Sequence, residues 1–244
     1  RRTVKIKQRQ DNPHFAAMVE SMDESFGRVM ETLEELRLKQ NTIVIFTSDN
    51  GGMSAANFGR PDRRIAADNL DAAFSTSNRP LRGGKGWLYE GGIRVPLLIS
   101  WPGQGRRGAE CDEPVITPDL YPTILEMVGA QPPVNQPVDG VSLTGLLRED
   151  GELNREAIYW HFPHYSNHGM QSPAGAIRRG DLKLIESFEN GTLQLFNLRE
   201  DAGEQQDLAG EQPEVARSLQ MMLHAWRVQV GARMMEDNAA YRRQ

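Results

Sequence analysis

The chain has 244 residues, 39% hydrophobic and 25% charged, enough for one large domain, or one with a smaller appendage, whose core needs no disulfide staples. Its net charge of −5, with both signs interspersed, gives no footprint for a nucleic-acid backbone, and no apolar run approaches the ~18 residues that cross a bilayer. Cys111 is the single cysteine, which excludes an internal disulfide and a cysteine metal cluster.

The opening "RRTVKIKQRQ" has no apolar stretch behind its basic residues and does not read as a signal peptide. Asn12 and Pro13 read as a helix start, a capping oxygen followed by the residue tolerated in the first turn. Phe15, Met18, Val19, Met22, Phe26, Val29, Met30 and Leu33 recur at helical spacing, which predicts one buried stripe on a helix running to about Leu38. Asp23, Glu24, Glu34 and Glu35 share that helix and are expected to face water. "NTIVIFTSDN" follows as a strand apolar on both faces, the pattern of a strand inside a parallel sheet. A long helix leading into such a strand is an α/β unit.

Residues 53–80 are polar and weakly periodic, and read as an extended loop of the kind that carries function. "IRVPLLISWPG" predicts a second buried strand, with Pro96 near its start. Thr117 and Pro118 open another helix, which Gly129 stops. Proline-rich "AQPPVNQPVDG" marks a change of regime. Beyond about Asp150, "AIYWHF", "AGAIRR", "LKLIES" and "LQLFNL" predict an antiparallel meander. Val215, Leu219, Met222, Leu223, Trp226 and Val230 then give one closing amphipathic helix, and "ARMMEDNAAYRRQ" reads as a tail.

Two stretches carry chemistry. Asp49 and Asn50 end the first strand, and ligands of open α/β sheets collect at such ends. A carboxylate and an amide carbonyl are hard oxygen donors, suited to calcium or magnesium. Gly51 and Gly52 allow a sharp turn with positive φ and a close approach of other groups to the backbone. A plain Asn-Gly turn fits the spacing equally well. In "LRGGKGWLYEGG", Lys85 is flanked by Gly83, Gly84 and Gly86, so backbone amides and one ammonium are able to converge on an anionic oxygen. The glycine spacing is not that of a Walker motif, and by itself the stretch also suits a surface lysine in a glycine loop.

"NTIVIFTSDNGG", "STSNRPLRGGKGWLYEGGIRVPLLISWPG" and "LYPTILEMVG" together resemble the C-terminal catalytic segments of sulfatases of the alkaline phosphatase superfamily. "VDGVSL" and "LFNLREDAGEQQDLA" resemble their C-terminal subdomain, so the resemblance covers nearly the whole chain. It implies an α/β fold: residues 1–150 would be part of an alkaline phosphatase-like parallel-sheet domain, and residues 151–244 a small antiparallel sheet with a C-terminal helix. It implies that Asp49 and Asn50 ligate a calcium ion and that Lys85 contacts the sulfate being cleaved. The reaction would be calcium-assisted hydrolysis of a sulfate ester by a formylglycine nucleophile.

That nucleophile is made from a cysteine or serine in a C-x-P-S-R type motif, which this sequence lacks. Cys111 lies in "CDEPV", and "SPAGAIR" has Ala176 where the serine variant has arginine. The family's aspartate-rich first strand and its upstream lysine and histidines are absent as well. The resemblance therefore implies the C-terminal part of a sulfatase, inactive alone, whose nucleophile and remaining metal ligands lie upstream of Pro13 in the complete protein. Family members are mostly exported, whether periplasmic, secreted or lysosomal, and act on aryl sulfates, sulfated glycans and glycolipids.

His161, His164 and His168 in "WHFPHYSNH" read as a ring-lined rim able to touch a sugar or aryl group, or as packing, and not as a metal cluster. His14 and His224 show no partner in the sequence. Two rival readings stand beside the sulfatase. A phosphatase or phosphodiesterase of the same superfamily would typically carry a histidine after the aspartate and bind zinc, against which Asn50 argues. A non-catalytic carbohydrate- or partner-binding module would need no nucleophile.

Overall fold

The computed structural model describes residues 6–55, 75–148, 151, 153–166 and 171–236. Most of the loop read over 53–80, all of His168 and the tail beyond residue 236 lie outside the described residues. In chain order the elements are α1 (Pro13–Glu35), β1 (Val44–Thr47), α2 (Glu90–Ile93), β2 (Leu97–Ser100), α3 (Leu120–Met127), α4 (Thr144–Arg148), β3 (Ile158–Phe162), β4 (Ala174–Arg179), β5 (Leu182–Ser187), β6 (Leu193–Asn197) and α5 (Pro213–Gln229). Contacts group them into two compact units that do not follow chain order. One holds Arg1–Ala16, Ser48–Val95 and Ala157–Gln244, and the other Ala17–Thr47 and Pro96–Glu156. This is a different division from a cut near residue 150, because residues 48–95 cluster with the segments beyond 157.

α1 begins as its sequence predicts. Asn12 Oδ1 accepts the N–H groups of His14 and Phe15, at 3.0 and 3.3 Å, and so satisfies two of the donors a helix start leaves open. The helix stops at Glu35, short of the expected Leu38. Arg37 turns left-handed, with φ 55°, and Leu38 N–H closes back onto Leu33 O. The expected buried stripe is not buried: no residue of α1 is, and Met18 is 62% exposed. Phe26 does meet Phe46 of β1 edge-on, with ring centroids 5.4 Å apart.

β1 and β2 pair antiparallel, with Val44 opposite Ser100 and Thr47 opposite Leu97. The apolar run of β1 had suggested a parallel neighbour, and no parallel pair occurs among the described residues. Apolarity on both faces says that both faces are to be covered, not which way the neighbour runs. A 3-10 turn over Thr117–Asp119 leads into α3, and Gly129, at φ 70°, follows its end as expected. Asp119 is fully buried there. It accepts two hydrogen bonds from Arg155, at 2.7 and 2.8 Å, and the N–H groups of Ile116 and Val141. One guanidinium nitrogen, Arg155 Nη1, bridges both oxygens, and with the two amides it satisfies the carboxylate, while Nη2 donates to Pro114 O at 2.7 Å.

In the other unit β3, β4, β5 and β6 form the predicted meander, each strand antiparallel to the next. Both faces of this sheet are covered. On one, Ile177, Leu184 and Leu195 pack against Ala216, Leu219 and Leu223 of α5, and each fully buried leucine contributes on the order of 2 kcal/mol. On the other, Ala174, Ala176, Ile185 and Phe196 pack against Leu88, with Tyr89 and Ile93 beside it. The segment that carries the glycine loop is thus seated directly on the sheet. His224, for which the sequence showed no partner, lies 2.8 Å from the buried Glu186 carboxylate.

Candidate functional site

The strand-end residues and the glycine loop are stitched together through backbone groups. Gly52 O accepts the N–H of Lys85 at 3.1 Å, and Gly51 N–H donates to Gly92 O at 3.0 Å. Asn78 clamps the Gly52 residue from both sides: its Oδ1 accepts Gly52 N–H at 2.9 Å, while its Nδ2 donates to Gly52 O at 2.8 Å. The same Nδ2 reaches Gly83 O at 3.1 Å, and Ser54 Oγ donates to Gly83 O at 3.1 Å.

These contacts explain the glycines, and correct half of what the sequence suggested. Gly51 and Gly52 do not take positive φ; the left-handed residues of this site are Gly83, at 75°, and Gly86, at 92°. What Gly51 supplies is room. A Cβ there would stand 1.8 Å from Gly91 O, one on Gly84 would stand 2.5 Å from Gly52 O, and one on Gly92 would stand 2.2 Å from Trp87 O. Three backbone segments meet where no side chain fits.

Around this packed backbone three polar groups remain uncommitted. Asp49 is exposed and its carboxylate has no side-chain partner among the described residues. Asn50 donates through Nδ2 to Gly51 O at 3.1 Å, which leaves Oδ1 with no donor among those residues. The Lys85 ammonium is half-buried and has no ion pair or hydrogen bond among them. Two hard oxygens and one cation are thus presented by segments that backbone hydrogen bonds tie together.

Calcium takes roughly six to eight oxygens, so Asp49 and Asn50 fit part of such a shell. No group of three or more His, Cys, Asp or Glu able to hold a metal occurs among the described residues. Beside the clamp, a cavity of about 300 Å³ is lined by Lys7, Asn78, Arg79, Arg82 and Gly83. Its cations are engaged: Lys7 pairs with Asp11 at 2.8 Å, and Arg82 donates to Glu204 O at 2.7 Å.

His161 and His164 belong to the outer strand β3 and the turn after it. His161 Nε2 lies 2.7 Å from Arg233 O, and its ring packs 5.5 Å from Phe188. His164 is exposed and meets Phe162 edge-on at 5.1 Å. Among the described residues neither ring contacts Asp49, Asn50 or Lys85. Sequence reasoning missed Asn78 altogether. An asparagine in a polar run shows nothing of the clamp it makes, and only its place just ahead of the glycine loop hinted at a role.

Comparison with known proteins supplies the family. The sulfatase family model matches residues 2–130, and the model for the C-terminal region of N-sulphoglucosamine sulphohydrolase matches residues 84–229. A sulfatase of Formosa agariphila is 33% identical over 240 residues, covering 89% of this chain and 40% of that protein. Mouse steryl-sulfatase is 37% identical over 148 residues, covering 61% of this chain and 22% of its own length. Among solved structures, Ps i-CgsB in complex with k-i-k-neocarrahexaose superposes with a TM-score of 0.69 at 28% identity, over 86% of this chain and 42% of that one. The alkaline phosphatase-like α/β fold expected from the sequence is therefore the observed one, and the chain spans two fifths or less of the curated relatives named here. Over that span, with its paired strand end and glycine loop intact, the chain belongs to the sulfatase family.

Proposed function

We propose that this chain is the C-terminal portion of an exported enzyme that hydrolyses sulfate esters, and that its strand-end site holds the sulfate. The Lys85 ammonium would meet the sulfuryl oxygens, where negative charge grows as the S–O bond breaks. Asp49 and Asn50 would contribute two oxygens to a calcium site, the remaining ligands and a formylglycine nucleophile coming from the portion upstream of Pro13. Bound calcium would supply electrostatic stabilisation of the sulfuryl group. The residues of this chain would orient that group: Asn78 and Gly92 fix the strand end, and the Lys85–Gly52 hydrogen bond fixes the backbone from which the Lys85 side chain extends. The exposed ring of His164, with His161 of β3 as a second ring of the same rim, would meet the group that leaves with the sulfate.

One observation carries this reading. A carboxylate, an amide oxygen and an ammonium, all without partners among the described residues, sit on two segments joined by the Lys85–Gly52 hydrogen bond at 3.1 Å. The relatives add to it. One is a steryl-sulfatase, and one structural neighbour is in complex with k-i-k-neocarrahexaose, so aryl or steryl sulfates and sulfated glycans are the substrate classes to try. In addition, no helix among the described residues is long and apolar enough to cross a membrane.

The test uses the complete protein and an aryl sulfate. Lys85→Ala should lower kcat by roughly 100-fold or more with the fold intact, as expected for one preorganised transition-state contact. Asp49→Ala should lose turnover and bound calcium together, measured by metal analysis. The 244-residue chain alone should show no turnover above a buffer blank. Near-normal turnover in both variants would return the strand end to a plain turn and Lys85 to a surface lysine. Zinc in place of calcium would favour a phosphatase or phosphodiesterase.

A further inference from the structure

Lys183, in the middle of β5, is a fully buried cation that the proposed chemistry does not use. Its Nζ lies 2.9 Å from Glu90 Oε1 and 2.8 Å from Glu204 Oε1, and those two glutamates are 2% and 0% exposed. Glu204 Oε2 accepts the N–H of Glu90 at 2.7 Å, so Glu204 holds both the backbone of Glu90 and the charge that pairs with it. Arg178 approaches Glu90 Oε2 at 3.9 Å, which brings the local charge close to balance. Glu204 itself adopts φ 52°, a left-handed conformation that disfavours any residue with a Cβ. Its loop accepts that cost and delivers a carboxylate to a buried site. Burial pushes the Glu204 carboxyl above its ordinary range, and Lys183 offsets part of that rise.

Three buried ionic groups rarely serve stability as well as apolar residues of the same volume would, so their location matters more than their number. Glu90 opens α2, five residues after Lys85 in the sequence. The next residue, Gly91, donates to Arg82 O at 2.8 Å, and Gly92 O receives Gly51 N–H at 3.0 Å. The packing around Gly91 and Gly92 leaves no slack: a Cβ on Gly91 would lie 2.5 Å from Arg82 O, and one on Gly92 would lie 2.5 Å from Gly84 O. A displacement of Glu90 must therefore move the glycine loop, the strand end, or both. Lys183 lies on the sheet face that carries Ile185 and Phe196, the face on which Leu88 and Tyr89 rest.

We propose that Lys183, acting through Glu90 and Glu204, is a positioning residue: it uses the antiparallel sheet as a platform that fixes the glycine loop and the strand end to each other. The proposal rests on the sulfatase reading for its kinetic consequence and on the geometry alone for its structural one. Lys183 is fully buried and so is not placed to touch substrate itself. Its removal acts by leaving two buried carboxylates facing each other without their cation, which loosens α2 from the sheet.

The experiment uses the complete protein and the variant Lys183→Met, which keeps the side chain's length and removes its charge. Amide hydrogen exchange is followed by mass spectrometry on peptides covering 49–53, 83–92 and the strands β4–β6. Turnover of an aryl sulfate is measured on the same samples. Exchange in 49–53 and 83–92 should rise at least tenfold while the strands stay protected. At the same time kcat should fall by roughly ten- to a hundredfold with KM changed less than threefold. Adding Glu204→Gln, which removes one of the two facing charges and keeps an acceptor for Glu90 N–H, should recover part of both losses.

Unchanged exchange in the two site peptides overturns the proposal. So does a variant whose site peptides loosen while kcat stays normal, since the loop's position would then not matter to the reaction. If Lys183→Met fails to fold, Glu204→Gln alone carries the same exchange and kinetic arms with smaller changes in the same direction. If the unmodified protein turns over no sulfate ester, the sulfatase reading fails while the exchange arm still decides whether Lys183 holds the loop.

Discussion

Leu184, Leu195 and Leu223, between the four-stranded sheet and α5, have no exposed surface, whereas Met18, Met22 and Val29 along α1 are 62%, 49% and 55% exposed. The two regions are written in the same apolar alphabet with equally regular spacing. In the first, the covering helix is part of the chain. In the second, Leu98 of β2 and Ile124 of α3 add exposed apolar side chains of their own, at 60% and 42%. These exposed side chains all belong to one compact unit, and large exposed apolar surface marks a place made for contact. Periodicity thus records that a face is made to be covered, and is silent about what covers it. In the function proposed above the cover is the upstream portion of the enzyme, consistent with relatives of which this chain spans 40% or less.

The comparison breaks most directly at Leu223. Truncating it to alanine removes a side chain with no exposed surface from between α5 and β4–β5, and should cost about 3 kcal/mol of unfolding free energy by urea titration, from lost burial and the cavity left behind. A cost below about 1 kcal/mol would mean that the sheet and α5 are no better closed than α1.

A polar clasp sharpens the same contrast. Glu186, at the end of β5, accepts hydrogen bonds from Gln220 and Arg227, both at 2.7 Å, and faces His224 Nε2 at 2.8 Å. All three partners belong to α5. Burial pushes the Glu186 carboxyl up, but those hydrogen bonds and the Arg227 charge outweigh it and hold the carboxyl below its ordinary 4.5. A depressed folded value favours the folded state above the unfolded value, and that contribution fades as pH falls through the folded one. Glu186→Gln should therefore cost about 2 kcal/mol at neutral pH, the scale of hydrogen bonds to a charged group. Its deficit relative to the parent should shrink steadily below about pH 4.5. A deficit independent of pH would show that shape, and not charge, fastens α5 to the sheet.

How far the fold was legible follows the same division. The meander could be read because its turns are local: Gly180, at φ 57°, and Gly191, at φ 66°, sit where the strands reverse. The α1 cap was equally local, an asparagine oxygen within reach of the first free amides. The antiparallel pairing of β1 with β2 was not local and the sequence did not show it, since an apolar run is the same read from either neighbour. At the site, the resemblance singled out Asp49, Asn50 and Lys85, and the structure ties the loop of Lys85 to the strand end. Asn78, Glu90, Lys183 and Glu204 stayed invisible because polar residues in a sequence read as surface. Only the fold shows that Lys183 and its two carboxylates are buried together, with 93 residues separating Lys183 from Glu90. Gly51 and Gly52 were read as allowing both a positive-φ turn and a close backbone approach, and only the second holds, since Gly91 O stands where a Cβ of Gly51 would be.

The smallest effect is the most discriminating. Met22 lies midway along α1 and is 49% exposed, so in the 244-residue chain Met22→Ala removes few contacts and gains a little helix propensity. Urea unfolding of that chain should change by less than about 0.5 kcal/mol, as for surface substitutions elsewhere. In the complete protein the same substitution should cost about 2 kcal/mol, because a methionine covered by a neighbouring layer loses burial and leaves a cavity when truncated. Asp23→Ala, on the adjacent face of the same helix, should change neither protein measurably if that face points to water in both. Equal, small costs for Met22→Ala in both proteins would leave the α1 stripe uncovered in the working enzyme. The contrast between a closed sheet and an open helix would then belong to the enzyme itself and not to the part of it seen here.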